Sequence, residues 1–192
     1  MTWLGNIVNS ATEMAPLPMG IIVGAVVGMV LTLPISSAAL CIALGLSGLA
    51  AGAATAGCSA QMIGFAVISY CDNGFSGLVS QGLGTSMLQV PNIMRNVRIW
   101  IAPTVASGIC GALSSTLFKM TNIPAGAGMG TSGLVGQLGM LADMAPKHGV
   151  IPVILAMLFL HVALPAIICL PIDRMLRKAG WVKKGDMTIR GV

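Results

Sequence analysis

The chain has 192 residues, of which 56% are hydrophobic and only 8% charged, with a formal net charge of +5 and a mean hydropathy of +0.92. Soluble domains carry about 25% charged residues, so the composition excludes a water-facing surface and points to an integral membrane protein. The basic residues form no patch interleaved with aromatics, which removes nucleic acid from the expected partners. Most of the excess charge sits in "RMLRKAGWVKKGDMTIR", Arg174 to Arg190. No short apolar region followed by an A-x-A-like site opens the chain, so no cleavable signal peptide is expected.

A membrane span needs about 20 mostly apolar residues. "MGIIVGAVVGMVLTL", Met19 to Leu33, is a first candidate, stopped by Pro34. Ile35 to Tyr70 then runs 36 residues without a charge, which predicts two short spans broken near "AAGAATAGCS". Arg98 to Met120 and Val150 to Ile172 are further spans, the latter with Pro152, Pro165 and Pro171 as expected kinks. The fold class is thus all-α, with four to five transmembrane helices in one domain spanning 1–192. Residues 1–17 form a lead and 174–192 a basic tail. The excess of Lys and Arg places that tail and Arg95 in the cytoplasm, and Lys147 outside, with Lys119 a mild exception.

Between the last two spans lies "IPAGAGMGTSGLVGQLGMLADMAPKHG", Ile123 to Gly149. Thr121 to Pro146 would begin and end on the outer face, too apolar for a free loop and without a complete span. It reads as a re-entrant hairpin, which a membrane tolerates only where the backbone is buried in protein or lines a wet cavity. Gly126, Gly128 and Gly130 are expected to supply tight turns, at least one with positive φ, and Gly128→Val is expected to do more damage than Gly20→Val in an ordinary span. A second such segment, Asp72 to Asn92, would enter from the cytoplasmic side. Ser76–Gln81 echoes Ser132–Gln137, and Gly82–Ser86 echoes Gly128–Ser132, in opposite order. Paired hairpins from opposite faces suit an inverted-repeat transporter with a midplane site; small residues recurring at helix contacts are the plainer alternative.

The chemistry-bearing residues are mostly uncharged. Gly128 to Gly133 matches G-x-G-x-x-G but lacks the preceding strand and the later acid of a dinucleotide site. No phosphate-loop lysine, catalytic constellation or metal-ligand cluster appears, so no catalytic residue, metal or cofactor is expected. The five cysteines are an odd number with no C-x-x-C pair, which favours small apolar packing over disulfides. His161 lies inside the last span, where a functional role and an interhelical hydrogen bond compete. Asp72 opens a turn in Asp-Asn-Gly, and Asp143, His148 and Glu13 are interfacial. Amides are the informative group, because an unpaired amide in apolar surroundings is expensive. The predicted substrate-binding set is Gln61, Asn73, Gln81, Thr85, Ser86, Gln89, Asn92, Gly128, Gly130, Thr131, Ser132 and Gln137. Its chemistry suits a sugar, and alanine at Gln81 or Gln137 is expected to weaken binding more than stability.

"GLAAGAATAGCSAQMIGFAVISYCDNGFSGLVSQGLGTSMLQVPNIMRNVRIWIAPT", Gly48 to Thr104, continued by "FKMTNIPAGAGMGTSGLVGQ" from Phe118, resembles the enzyme IIC components of the phosphoenolpyruvate-dependent sugar phosphotransferase system. That family includes proteins described as perfringolysin O regulators. The resemblance covers most of residues 17 to 187, and because members are typically longer, the chain reads as a C-terminal portion or a short form. It implies a multi-pass permease domain in a bacterial inner membrane, as a homodimer in contact with membrane lipid. The domain would bind and translocate a sugar while cytoplasmic IIA and IIB partners transfer the phosphoryl group. It also implies an intramembrane glutamate and histidine at the sugar; Glu13, the sole glutamate, precedes the first predicted span, and no motif matches His161 to that histidine. Two other readings stand beside it: a membrane regulator or sensor of gene expression without transport, and a structural membrane module.

Overall fold

A computed structural model describes residues 2–189; Arg190, counted in the predicted basic tail, and the rest of 190–192 lie outside the described residues. The fold is an all-α membrane protein. Its helices are α1 (Thr2–Met14), α2 (Pro16–Thr32), α3 (Ser37–Leu44), α4 (Gly48–Ile68), α5 (Tyr70–Val79), α6 (Val90–Arg95), α7 (Ile101–Thr116), α8 (Pro124–Ala127), α9 (Val135–His148), α10 (Val150–Met157) and α11 (Leu164–Lys178). Three continuous helical stretches are long and apolar enough to cross a membrane: Gly48–Ile68, Val97–Thr116 and Val150–Lys178. The shorter α2 is a fourth apolar helix.

Local chemistry sets the boundaries. Pro16 starts α2, where its missing N–H costs nothing, and Pro34 holds Leu33 extended just past its end. Ser36 caps α3 through the Ala39 amide at 3.2 Å, and Gly45, at φ +65°, closes it. The predicted break near "AAGAATAGCS" is corrected here. Those residues are the unbroken first half of α4, and the chain breaks earlier, at Gly45–Ser47. The small residues are not breakers, because the glycines among them admit neighbouring backbones. A Cβ at Gly57, for example, would stand 2.6 Å from the Gly24 Cα.

The same logic builds the central three-helix unit of α2, α4 and α7. Gly20, Gly24 and Gly28 recur every fourth residue and so share one face of α2. A Cβ at Gly24 would lie 2.7 Å from the Ser107 carbonyl oxygen on α7, and one at Gly28 would lie 2.9 Å from the Gly57 carbonyl oxygen on α4. Gly20 therefore does not sit in an undemanding span as expected: a Cβ there would meet the Gly111 carbonyl oxygen at 2.8 Å.

The last long helix runs unbroken from Val150 to Lys178 despite its prolines. It widens into a π-helical segment at Leu158–Ala163, just before Pro165, whose missing N–H leaves the His161 carbonyl without its usual partner. Cys41, Cys58, Cys110 and Cys169 are free and buried, while Cys71 is free and exposed.

Two hairpins enter from opposite ends of α4. At its first end, the Asn122 amide donates to the Gly48 carbonyl oxygen at 3.3 Å, and from there the chain turns inward through α8 and returns along α9. At its last end, α5 follows α4 after one residue, and the chain returns through the turn Ser80–Gly84 and α6. Thr121 to Pro146 is thus two helices around a turn, not one crossing helix. Gly130 and Gly133 (both φ +53°) and Leu134 (φ +59°) make that turn, so the expectation of positive φ among the three glycines holds at Gly130.

Candidate functional site at the meeting of two hairpin tips

The two turns touch halfway along α4. Thr131 Oγ1 donates to the Gly82 carbonyl oxygen at 2.6 Å, closing one tip on the other. A Cβ at Gly130 would stand 2.7 Å from the Cys58 carbonyl carbon, and one at Gly128 would stand 2.8 Å from the Ala38 nitrogen. Both glycines are thus where the hairpin backbone presses on its neighbours. Gly82–Ser86 and Gly128–Ser132, which echo each other in sequence, both lie at these turns.

The first hairpin spends its amides on the protein. Gln81 is fully buried; its Nε2 donates to Ser69 Oγ at 2.7 Å and to the Gly77 carbonyl oxygen at 3.0 Å. Its Oε1 accepts from Gln89 Nε2 at 2.9 Å, and Gln89 Oε1 in turn accepts from Asn92 Nδ2 at 2.9 Å. This relay ends on the segment after α11. Gln89 and Asn73 both donate to the Met187 carbonyl oxygen, at 3.0 and 2.8 Å. Asn92 donates to the Thr188 carbonyl oxygen at 3.0 Å, and the Ile189 amide donates to Asn73 Oδ1 at 2.7 Å. The segment forms no ladder of its own, so side-chain amides satisfy its backbone. It lies as a strap over the hairpin, with Met187 fully buried beneath it.

Charge supports the same end. Arg177 Nε donates to Asp173 Oδ2 at 2.7 Å, and its Nη2 reaches the Ile68 carbonyl oxygen at 3.2 Å and Asp72 Oδ2 at 4.0 Å. Asp72 Oδ1 accepts from the Gly185 amide at 3.1 Å. Gln61 sits in a separate knot. Its Oε1 accepts from Trp100 Nε1 at 3.2 Å and its Nε2 donates to Thr104 Oγ1 at 3.2 Å, while Ser86 Oγ pairs with Thr32 Oγ1 at 3.0 Å beside it. Thr85 caps the Met87 amide at 3.1 Å. Ser132 lies in the second turn beside Thr131.

The second hairpin leaves polar atoms over. Ser59 Oγ donates to the Thr55 carbonyl oxygen at 2.8 Å, so it can only accept from Gln137 Nε2, at 3.2 Å. That bond fixes which end of the Gln137 amide is the nitrogen. The same nitrogen lies 3.2 Å from His161 Nδ1, which must then accept, so the neutral ring carries its proton on Nε2. His161 Nε2 and Gln137 Oε1 are both buried and find no partner among the described residues. One is a donor and the other an acceptor. A cavity of about 200 Å³ adjoins them, lined by Thr131, Leu134, Gln137, Met157 and His161 among others. Buried polar atoms are nearly always paired, so two orphans on residues that line one cavity mark it as the candidate site.

Of the predicted site residues, Thr131, Ser132, Gln137, Gly128 and Gly130 gather at this junction. Gln81, Gln89, Asn92 and Asn73 gather at the strap, and Gln61 and Ser86 at the knot between α2, α4 and α7. Ser59, which fixes the Gln137 amide, went unnoticed in the sequence because a serine inside an apolar helix carries no signal. His161 was visible as an intramembrane ionisable residue, but its partner was not. Among the described residues, no group of three or more His, Cys, Asp or Glu comes together to hold a metal ion.

A family model described as "Phosphotransferase system, EIIC" matches residues 1–189. The chain belongs to that family. As an EIIC protein it is a membrane permease component of the sugar phosphotransferase system, a family whose members work on sugars with IIA and IIB partners. No curated protein and no solved structure gives a significant match.

Proposed function

We propose that this EIIC chain binds a sugar where its two hairpin tips meet and carries it across a bacterial inner membrane. One observation carries the reading: Gln137 and His161, which keep a buried carbonyl oxygen and a buried ring N–H without protein partners, both line one cavity. A donor and an acceptor on residues lining one cavity complement a hydroxyl group, which is both. A sugar is a ring of such groups, uncharged, and the site offers no fixed charge to select an ion. Thr131, Ser132 and the close backbone at Gly128 and Gly130 complete the proposed contact set, with the remaining predicted amides available if the strap and hairpins rearrange.

Charge supports an orientation. Arg95, Arg98, Arg174, Arg177, Lys178, Lys183 and Lys184 lie at the Ile68 end of α4, and Lys119 and Lys147 at the Gly48 end. The richer end belongs in the cytoplasm, together with the C-terminal segment, where IIA and IIB partners would deliver the phosphoryl group. A homodimer is part of the reading. It would use the open apolar groove of about 520 Å³ between α2 and α7, walled by Ile21, Val105 and Ile109 among others.

The test is uptake of labelled sugars into vesicles holding the purified chain, with and without cytoplasmic phosphotransfer proteins. Saturable uptake that Gln137→Leu abolishes is the expected result. Sugar binding with no uptake in either condition would instead favour the sensor reading.

A further inference from the structure

The Ile68 end of the molecule presents an unusual surface. Arg95, Arg98, Arg174, Lys178, Lys183 and Lys184 are all exposed there, and the strap that carries Lys183 and Lys184 packs beside Arg95 and Arg98. Asn96 Nδ2 donates to the Trp181 carbonyl oxygen at 2.9 Å, and the Arg98 guanidinium lies 5.0 Å from the centre of the Trp181 ring. Arg95 shares a cleft with Thr188 and Ile189. The acids of this end are three, Asp72, Asp173 and Asp186, with Arg177 beside two of them, so the six exposed cations stay in excess. Asp173 holds Arg177, Asp72 holds the Gly185 amide, and Asp186 Oδ2 accepts from Asn96 at 2.9 Å and from the Lys183 amide at 2.8 Å.

Large apolar side chains alternate with these cations. Met94 is 83% exposed, Met175 70%, Val97 64% and Trp181 48%, and each lies within three residues of one of the six. A face standing in water would pay for four such side chains. At a bilayer boundary the same mixture is favourable: the apolar groups enter the acyl edge and the cations meet phosphates.

We propose that this face is a headgroup-binding surface for anionic phospholipid, with the strap's Lys183 and Lys184 as part of it. The strap is then held from below by the amide relay and from above by lipid phosphate. A soluble acidic protein has the same charge complementarity, but it leaves the interleaved apolar side chains without an acyl layer to enter. The inference does not depend on what the hairpin site binds.

The full chain, reconstituted in bilayers mixing phosphatidylcholine with phosphatidylglycerol, would be released and its retained lipids weighed by native mass spectrometry. Phosphatidylglycerol is expected to be enriched over its bulk share by about tenfold. Arg174→Gln/Lys178→Gln/Lys183→Gln/Lys184→Gln should return the ratio to bulk, and the milder Lys183→Gln/Lys184→Gln should lower it part-way with folding unchanged. Lys119→Gln/Lys147→Gln, at the opposite end, should leave it high. No enrichment, or equal loss in both sets of variants, overturns the proposal. So does absent enrichment combined with protection of Lys183 and Lys184 from amine labelling by an added acidic phosphotransfer protein, which would make the occupant a protein.

Discussion

The two hairpins are built alike and finished differently. Both bring glycine-rich turns to the middle of α4, and both carry glutamines, buried in the first hairpin and half-buried at Gln137 in the second. In the first, each polar atom of Gln81 meets protein, and the relay through Gln89 and Asn92 ends on the strap. In the second, Gln137 pairs with Ser59 and His161 and still leaves Oε1 and the imidazole Nε2 unanswered. A buried amide alone therefore says nothing about ligand binding. What distinguishes Gln81 from Gln137 is whether the amide's own hydrogen-bond accounting closes.

The largest effect should come from the turn of the second hairpin, where it meets the first. Gly130 combines a positive φ with backbone contact at Cys58, so Gly130→Val should cost more than about 3 kcal/mol and prevent a folded product in detergent. Gly133 has the same φ but no neighbour nearer than the Val135 side chain at 3.8 Å. Gly133→Ala should therefore cost only about 1 kcal/mol by thermal melting. Equal losses at both positions would mean that contact at the hairpin tip is unimportant.

Next in size is the relay. Gln89→Ala strands Gln81 Oε1 and removes one of the two bonds at both Asn92 Nδ2 and the Met187 carbonyl oxygen, and should lower stability by about 2 kcal/mol while leaving affinity for a bound sugar within about twofold. Gln81→Ala should behave in the same way, which separates the two glutamines that the sequence treated as equivalents. Protease cleavage between Gly180 and Ile189 should rise in both variants, because the strap loses its hold. An intact strap in Gln89→Ala would contradict the account of this hairpin.

Much of this architecture was legible in the sequence, for particular physical reasons. The spans showed because charge is absent over long stretches. The second hairpin showed because Thr121 to Pro146 had to return to its own side. The strap did not show, since "WVKKGDM" reads as a solvated basic tail, and only folding reveals that Asn73, Gln89 and Asn92 satisfy its backbone. The course of α4 was misread because glycine and alanine weaken a helix in water yet favour one packed against other helices in a membrane. Gly20 was undervalued for the same reason: its four-residue repeat with Gly24 and Gly28 marked a helix contact. Gly20→Val should accordingly destabilise by about 2 kcal/mol through overpacking against α7, measured by thermal melting.

The clearest functional effect should fall at Gln137. Gln137→Leu removes the unpartnered acceptor and also the donor to Ser59 and His161, so it should cost about 1–2 kcal/mol by thermal melting, whereas a ligand hydroxyl would lose its bond outright. Affinity for each member of a series of monodeoxy sugars, measured on the wild type and on Gln137→Leu, tests the central claim most directly. One hydroxyl should matter by about tenfold in the wild type and hardly at all in the variant. If every deoxy position weakened both proteins equally, the cavity between the hairpin tips would not be where the sugar binds.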